Sequence, residues 1–274
     1  HPLVTMNCIK NIIGDNKSSP SESLLSYGLN LCKERKIINY NDAIQKKELE
    51  SGSISSVFVG DLEDALQACD WNSVDKLMPS IYYVSDRSRS IIDTLADLGL
   101  QNIDSNGVMI FHLLRAFNFK QKKSHVWTYA CLMLSKIKNN SLPKPSNGKD
   151  CEPSDFFENI SVEKDIQKLV KYAAVSRLWN GDYVRVRSYR REISSWLHKN
   201  FSKSTEKTVK DLQIDNRKID FITVAEKIIL NENLHNMISE KINTLDALRY
   251  LINIGCKINI KFHIDNLLKI GDNK

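Results

Sequence analysis

Apolar residues recur along most of this chain at the three- and four-residue steps of a helix face, and almost nowhere in the alternation of a strand. From Ser21 to Ile37, Leu24, Leu25, Leu29, Leu31, Cys32 and Ile37 follow helical spacing behind Pro20, Ser21 and Glu22, which approximate a capped start. Asp61, after Gly60, opens a second helix with Leu62, Ala65, Leu66 and Cys69 on its apolar side. Glu63 and Asp64 place negative charge in its first turn, where the helix dipole favours it. Asp70-Trp71-Asn72 should break that helix, and Ser73 should cap a short successor through Met78, because Pro79 has no N–H to continue the ladder. These two short helices then form a hairpin. From Asp86 to Leu98, Ile91, Ile92, Leu95 and Leu98 share a face, and Gly99 is placed to end the helix in the left-handed conformation.

The two most apolar helices are expected at Ser105 to Phe119 and Ser124 to Ile137. The first carries Met109, Phe111, Leu113, Leu114 and Phe117; the second carries Val126, Trp127, Tyr129, Leu132, Met133 and Ile137. A helix apolar on most faces is covered on most faces, so both belong at the centre of the fold. Lys138 to Pro153 gathers Asn-Asn-Ser, three prolines and a glycine, which reads as an exposed loop or linker. Beyond it, Ser161 to Trp179 and Asp182 to Phe201 read as two long antiparallel helices separated by Asn180-Gly181. Further helices are expected at Asp220 to Leu230, at Glu232 to Ile242, at Thr244 to Ile254 with Gly255 as its stop, and near Phe262 to Ile270. The alternation Val184-Arg185-Val186-Arg187 is too short to outweigh the helix face of Val186, Ile193, Trp196 and Leu197. Gly-Asp pairs at 60–61 and 181–182 define no repeat. The pattern predicts an all-α protein of antiparallel helical hairpins, an irregular bundle or a short solenoid. Its regions are 1–138, a loop at 139–153, and 154–274, in two parts or one continuous domain.

A composition of 42% hydrophobic and 26% charged residues excludes disordered, fibrous and membrane-embedded classes. The longest uncharged apolar runs, Gly107 to Leu114 and Val126 to Leu134, fall far short of the roughly 20 residues of a bilayer span. No membrane partner is expected. The opening His1-Pro2-Leu3-Val4 has neither an initiating Met nor a basic-then-apolar leader, so any signal peptide is expected to be absent or already removed. Six cysteines without a close pair suggest reduced thiols in a cytoplasmic protein, with Cys8, Cys32 and Cys131 packed as small hydrophobes. The net charge of +6 reads as lysines spread along the chain, an aid to contact with an anion but not a demand for one.

Familiar catalytic and nucleotide-binding signatures are missing, from Gly-x-Gly-x-x-Gly and the phosphate loop to Gly-x-Ser-x-Gly and His-Glu-x-x-His. No motif names a cofactor, and no metal site is expected. The histidines remain: His112 lies in an apolar helix, His125 opens the next, and His198, His235 and His263 lie on later ones. No two are spaced for one helix face, and a packed histidine is the simpler reading of each. The densest charge feature is Arg177, Arg185, Arg187, Arg190 and Arg191, interleaved with Trp179, Tyr183 and Tyr189. On a helix, Arg187, Arg190 and Arg191 lie opposite Val186, Ile193 and Trp196, a geometry that presents guanidinium groups to phosphates or carboxylates. A solvated face paired with Asp182 and Glu192 is the blander alternative.

His1-Pro2-Leu3-Val4 before a helix, the Gly60-Asp61 helix with Ala65, and the paired apolar helices bearing His112 and Tyr129 resemble the questin oxidase-like family. Members are all-helical and either oxidise aromatic polyketides or have no assigned role. The resemblance implies a pocket around His112, Trp127 and Tyr129, with His1 and His112 as site candidates. Asn106-Gly107-Val108 departs from it, lacking a histidine where the family would place one. Three functions follow in order: a helical protein-interaction scaffold, a questin oxidase-like oxidoreductase acting on an aromatic or other apolar small molecule, and a nucleic-acid contact through the arginine face. A protein partner and a small-molecule ligand both stay open, and nucleic acid is the least favoured.

Overall fold

The structure, a computed structural model, describes residues 1–33, 57–140, 142–148, 150–201, 219–231 and 237–269. Among these residues every regular element is helical, as the apolar periodicity predicts. In chain order the helices are α1 (Pro2–Ile13), α2 (Glu22–Lys33), α3 (Val59–Gln67), α4 (Trp71–Val84), α5 (Ser90–Leu100), α6 (Ile103–Phe119) and α7 (Lys123–Lys138). After a 3-10 turn at Pro153–Phe156 come α8 (Phe157–Ser161), α9 (Ile166–Trp179), α10 (Val186–Phe201), α11 (Phe221–Leu230), α12 (Ile238–Asn253) and α13 (Ile260–Leu268). The chain forms two compact units. Unit one comprises His1–Lys36, Cys151–Ser176 and Leu197–Lys274; unit two comprises Ile37–Asp150 and Arg177–Trp196.

In unit one, α1 packs on α2, α11 and α12, while α13 packs on α11 and α12. The cause is visible in α1, where Val4, Cys8, Ile9 and Ile12 are buried along one stripe, and in α12, where Ile242, Leu245, Leu248 and Leu251 are buried likewise. Polar contacts fix the register: Asn11 donates to Asp246 at 3.1 Å, and the Arg249 guanidinium forks onto Asp15. Lys241, almost fully buried, donates to the carbonyls of Leu267 and Lys269, where α13 ends and its carbonyls lack helical partners. Gly255 ends α12 as expected, at φ +84°, with Cys256 N–H returning to the Leu251 carbonyl at 2.9 Å.

Unit two is organised around α5, which contacts α3, α4, α6 and α7 and buries Ile91, Ile92, Leu95, Ala96, Leu98 and Leu100. Gly99 does not stop this helix, contrary to the sequence reading. It lies inside α5 because the neighbouring helices come close: a Cβ there would sit 2.6 Å from Ile110 Cδ1 and 3.3 Å from Ile137 Cδ1. Pro79 does not end α4 either. Met78, Pro79, Ile81 and Tyr82 are all buried, and that burial outweighs one missing backbone hydrogen bond. The cap of α4 is Asp70, whose carboxylate accepts from Ser73 N–H at 3.2 Å, so Ser73 is the capped residue.

Other boundaries also differ from the pattern. Helix α5 begins at Ser90 instead of Asp86, since Asp86 and Arg87 take left-handed backbone at φ 53° and 58°. The expected helix from Ser161 to Trp179 is interrupted, since Glu163 accepts from the N–H groups of Lys164 and Asp165, both at 2.8 Å, and Asp165 caps α9 through Gln167 N–H at 2.9 Å. Helix α10 begins at Val186 instead of Asp182. Helix α12 runs unbroken through Asn243 and Thr244, where two helices were expected, because buried Thr244 continues its inner face; residues 232–236, and His235 with them, lie outside the described residues. Cys8 is buried as expected, but Cys32, next to the last residue of α2, is exposed. Among the described residues no helix is long and apolar enough to cross a membrane.

Candidate functional site

The α1–α2 loop, the start of α11 and the α12–α13 loop surround a cleft of about 1220 Å³ in unit one. Each wall has a local cause. Pro20 and Ser21 turn the chain into α2, Ser21 capping Leu24 N–H at 3.3 Å. Asp220 caps α11, accepting from the N–H groups of Ile222 and Thr223 at 3.0 and 3.2 Å, and the Gly255 stop directs Lys257, Ile258 and Ile260 along the third side. The Ser21 hydroxyl donates to Glu226 at 2.6 Å and so joins two of the walls.

The lining divides into an apolar part, with Ile219, Phe221, Ile222, Ile252, Ile258 and Ile260, and an acidic part, with Asp15, Glu22, Asp220 and Glu226 against Lys257. Three of the carboxylates have partners: Asp15 holds Arg249, Glu226 holds Ser21, and Asp220 holds the start of α11. Hydrogen bonds from the Thr223 hydroxyl and N–H keep Asp220 below the usual carboxylate range. Cys256 also lines the cleft, but burial pushes its thiol up to about 12, which leaves it protonated and a poor nucleophile at neutral pH. Among the described residues no histidine lines the cleft beside Ser21 or Cys256. Among the described residues no group of three His, Cys, Asp or Glu side chains is placed to hold a metal ion.

The sequence-derived candidates lie elsewhere. His1 caps α1, its Nδ1 accepting from Leu3 N–H at 3.2 Å. His112 is buried in α6 with its ring edge-on to Phe111 at 4.7 Å. Trp127 is buried against Tyr82 at 5.3 Å, and Tyr129 is half-buried with its ring edge-on to Phe117 at 5.5 Å, where burial raises its phenol. Trp127 and Tyr129 stand two residues apart on α7 and therefore point to different sides of it. His263 is buried, which lowers its imidazole; His198 is exposed beside Phe156; and His125 is half-buried at the start of α7.

The arginines divide among separate tasks. Arg190 lies over the Trp179 ring at 4.9 Å and donates to the Trp179 carbonyl at 3.3 Å. Arg191 pairs with buried Glu192 at 3.2 Å, while Arg187 is exposed. Arg185 bridges Glu63 at 2.7 Å and Asp97 at 3.1 Å, and Arg177 lies over Phe111 at 5.3 Å. Of the five, Arg187 alone has its guanidinium uncommitted among the described residues.

Sequence reading passed over the cleft residues because they come from three distant segments, 15–22, 219–226 and 252–260, and match no motif. Asp220 carried a local signal, as a helix start, but nothing pairs it with Glu22 in one dimension. Fold and cleft together define an all-α protein with an acidic, partly apolar groove. Comparison with protein-family models, with curated proteins and with solved structures finds no match to this chain.

Proposed function

We propose that the protein is a helical interaction module whose unit-one cleft receives a basic, partly apolar segment of a partner protein. The observation that carries this reading is the composition of the lining: beyond the Asp15–Arg249 pair, three carboxylates, Glu22, Asp220 and Glu226, stand against one lysine beside six large apolar side chains. An extended segment with alternating lysine and apolar residues satisfies both parts. Its apolar side chains gain about 1.5–3 kcal/mol each on full burial. Each exposed lysine–carboxylate contact adds about 0–1 kcal/mol. After the cost of ordering the segment, an affinity on the order of tens of micromolar is expected.

Calorimetric titration with an acetylated Lys-Leu-Lys-Phe-Lys amide tests the proposal. Binding should weaken with salt, weaken in Glu22→Lys, and strengthen in Lys257→Glu. Both positions are exposed, so neither change threatens the fold. Absence of binding, or equal affinity in the two variants, refutes the reading.

A further inference from the structure

The net charge of +6 is not spread along the chain, as its total suggests. Between Asp104 and Asp150 the sequence holds eight lysines and arginines and no aspartate or glutamate. The whole chain has 39 basic and 33 acidic residues, so outside this stretch 31 basic residues face 33 acidic ones. The positive excess therefore belongs to α6, α7 and the loop after them, all within unit two.

At the α6–α7 corner this charge meets exposed apolar surface. Phe119, the last residue of α6, is 74% exposed, and Val84, the last residue of α4, is 52% exposed. Two contacts bring these helix ends together: Lys123 reaches Asp86, and Arg89 donates to Asn118 at 3.3 Å. Arg87, Arg115, Lys120 and Lys122 are exposed, with Arg115 one turn before Phe119 on the same helix face. Among the described residues neither Lys120 nor Lys122 enters an ion pair.

We propose that this corner docks on an anionic lipid bilayer, with Phe119 and Val84 entering the headgroup layer and the surrounding lysines and arginines lying over lipid phosphates. Such contact is peripheral and needs no spanning helix. Charge complementarity requires a polyanion, and the apolar residues decide which kind. A single-stranded nucleic acid is held by aromatic faces in series. Here Phe119 is the exposed ring, Val84 has no π face, and the half-buried Tyr83 ring lies under the Arg87 guanidinium at 5.8 Å. An aliphatic and an aromatic side chain beside clustered cations match the boundary between headgroups and acyl chains.

Co-sedimentation of the full chain with phosphatidylcholine vesicles, with and without phosphatidylserine, tests the proposal. The protein should partition onto the phosphatidylserine vesicles alone, and high salt should release it. The variant Lys120→Glu/Lys122→Glu should lower the partition coefficient at least about 25-fold, roughly fivefold for each cation lost. Phe119→Ala should lower it about tenfold while leaving its salt dependence unchanged. All three side chains are exposed, so the variants keep the wild-type tryptophan emission. No preference for phosphatidylserine, or binding unmoved by either variant, overturns the proposal. Retention of a single-stranded oligonucleotide without vesicle binding also overturns it, in favour of nucleic acid. Because the corner lies in unit two, the outcome is independent of peptide binding to the unit-one cleft.

Discussion

Replacing Arg89 with alanine should destabilise unit two by about 3 kcal/mol, through the carboxylate it leaves behind. The Asp93 side chain is 2% exposed and accepts two hydrogen bonds from Arg89, both at 3.0 Å. Removing one partner of such a pair costs about 3–5 kcal/mol, because the remaining charge stays desolvated. The lower figure applies because the Arg89 side chain is 26% exposed, so water can enter the space it vacates. Replacing both partners by apolar residues, Arg89→Met with Asp93→Leu, removes the stranded charge and should return stability to within about 1 kcal/mol of wild type. The assay is convenient, since all four tryptophans, Trp71, Trp127, Trp179 and Trp196, lie in unit two and report its urea unfolding by fluorescence. With a slope of about 2 kcal/mol per molar urea, the single variant should lower the midpoint by about 1.5 M. A shift under about 0.5 M, or a double variant as unstable as the single one, would refute the account of this pair.

Other outcomes follow from the same packing. Gly99→Ala should destabilise unit two by about 1 kcal/mol, the overpacking against Ile110 exceeding the helix propensity gained; Ile110→Val, which removes the Cδ1 in the way, should reverse the sign, and failure of that rescue in urea titrations rejects the clash. Burial raises Asp97 above its ordinary 3.8 although Arg185 at 3.1 Å pulls the other way. The folded state then holds this proton to higher pH than the unfolded chain, so the group costs stability as pH rises from 3.8 through its folded value. Asp97→Asn should flatten the stability–pH curve just above that point, and an unchanged or steeper curve contradicts the assignment. With its thiol raised to about 12, Cys256 should resist an aromatic disulfide reagent at neutral pH while exposed Cys32 and Cys69 react. Mass mapping of modified Cys256 in folded protein would contradict this.

Much of the helical layout was legible because its signals are local. Asp220 caps α11 and Gly255 ends α12 where the sequence places them, since a capping carboxylate and a left-handed glycine act within one turn. Pro79 and Gly99 misled for the converse reason. Their local preference is to stop a helix, yet the helices around them bury Met78 and Tyr82 in one case and press Ile110 against the glycine in the other. Tertiary contact decided both. The cleft was illegible because Asp15, Glu22, Asp220 and Glu226 meet only after three distant segments fold together. The cationic corner was legible in principle: the total charge conceals it, whereas the distance from Asp104 to the next acidic residue, Asp150, displays it.

Five isoleucines, Ile219, Ile222, Ile252, Ile258 and Ile260, line the cleft, so isoleucine-methyl NMR gives the most direct test of its function. On addition of the Lys-Leu-Lys-Phe-Lys peptide, these five δ1-methyl signals should shift together and saturably, while those of Ile92, Ile110 and Ile137 in unit two stay in place. Peptide-induced shifts confined to other isoleucines, or none up to millimolar peptide, would contradict the proposal that this groove is the binding site.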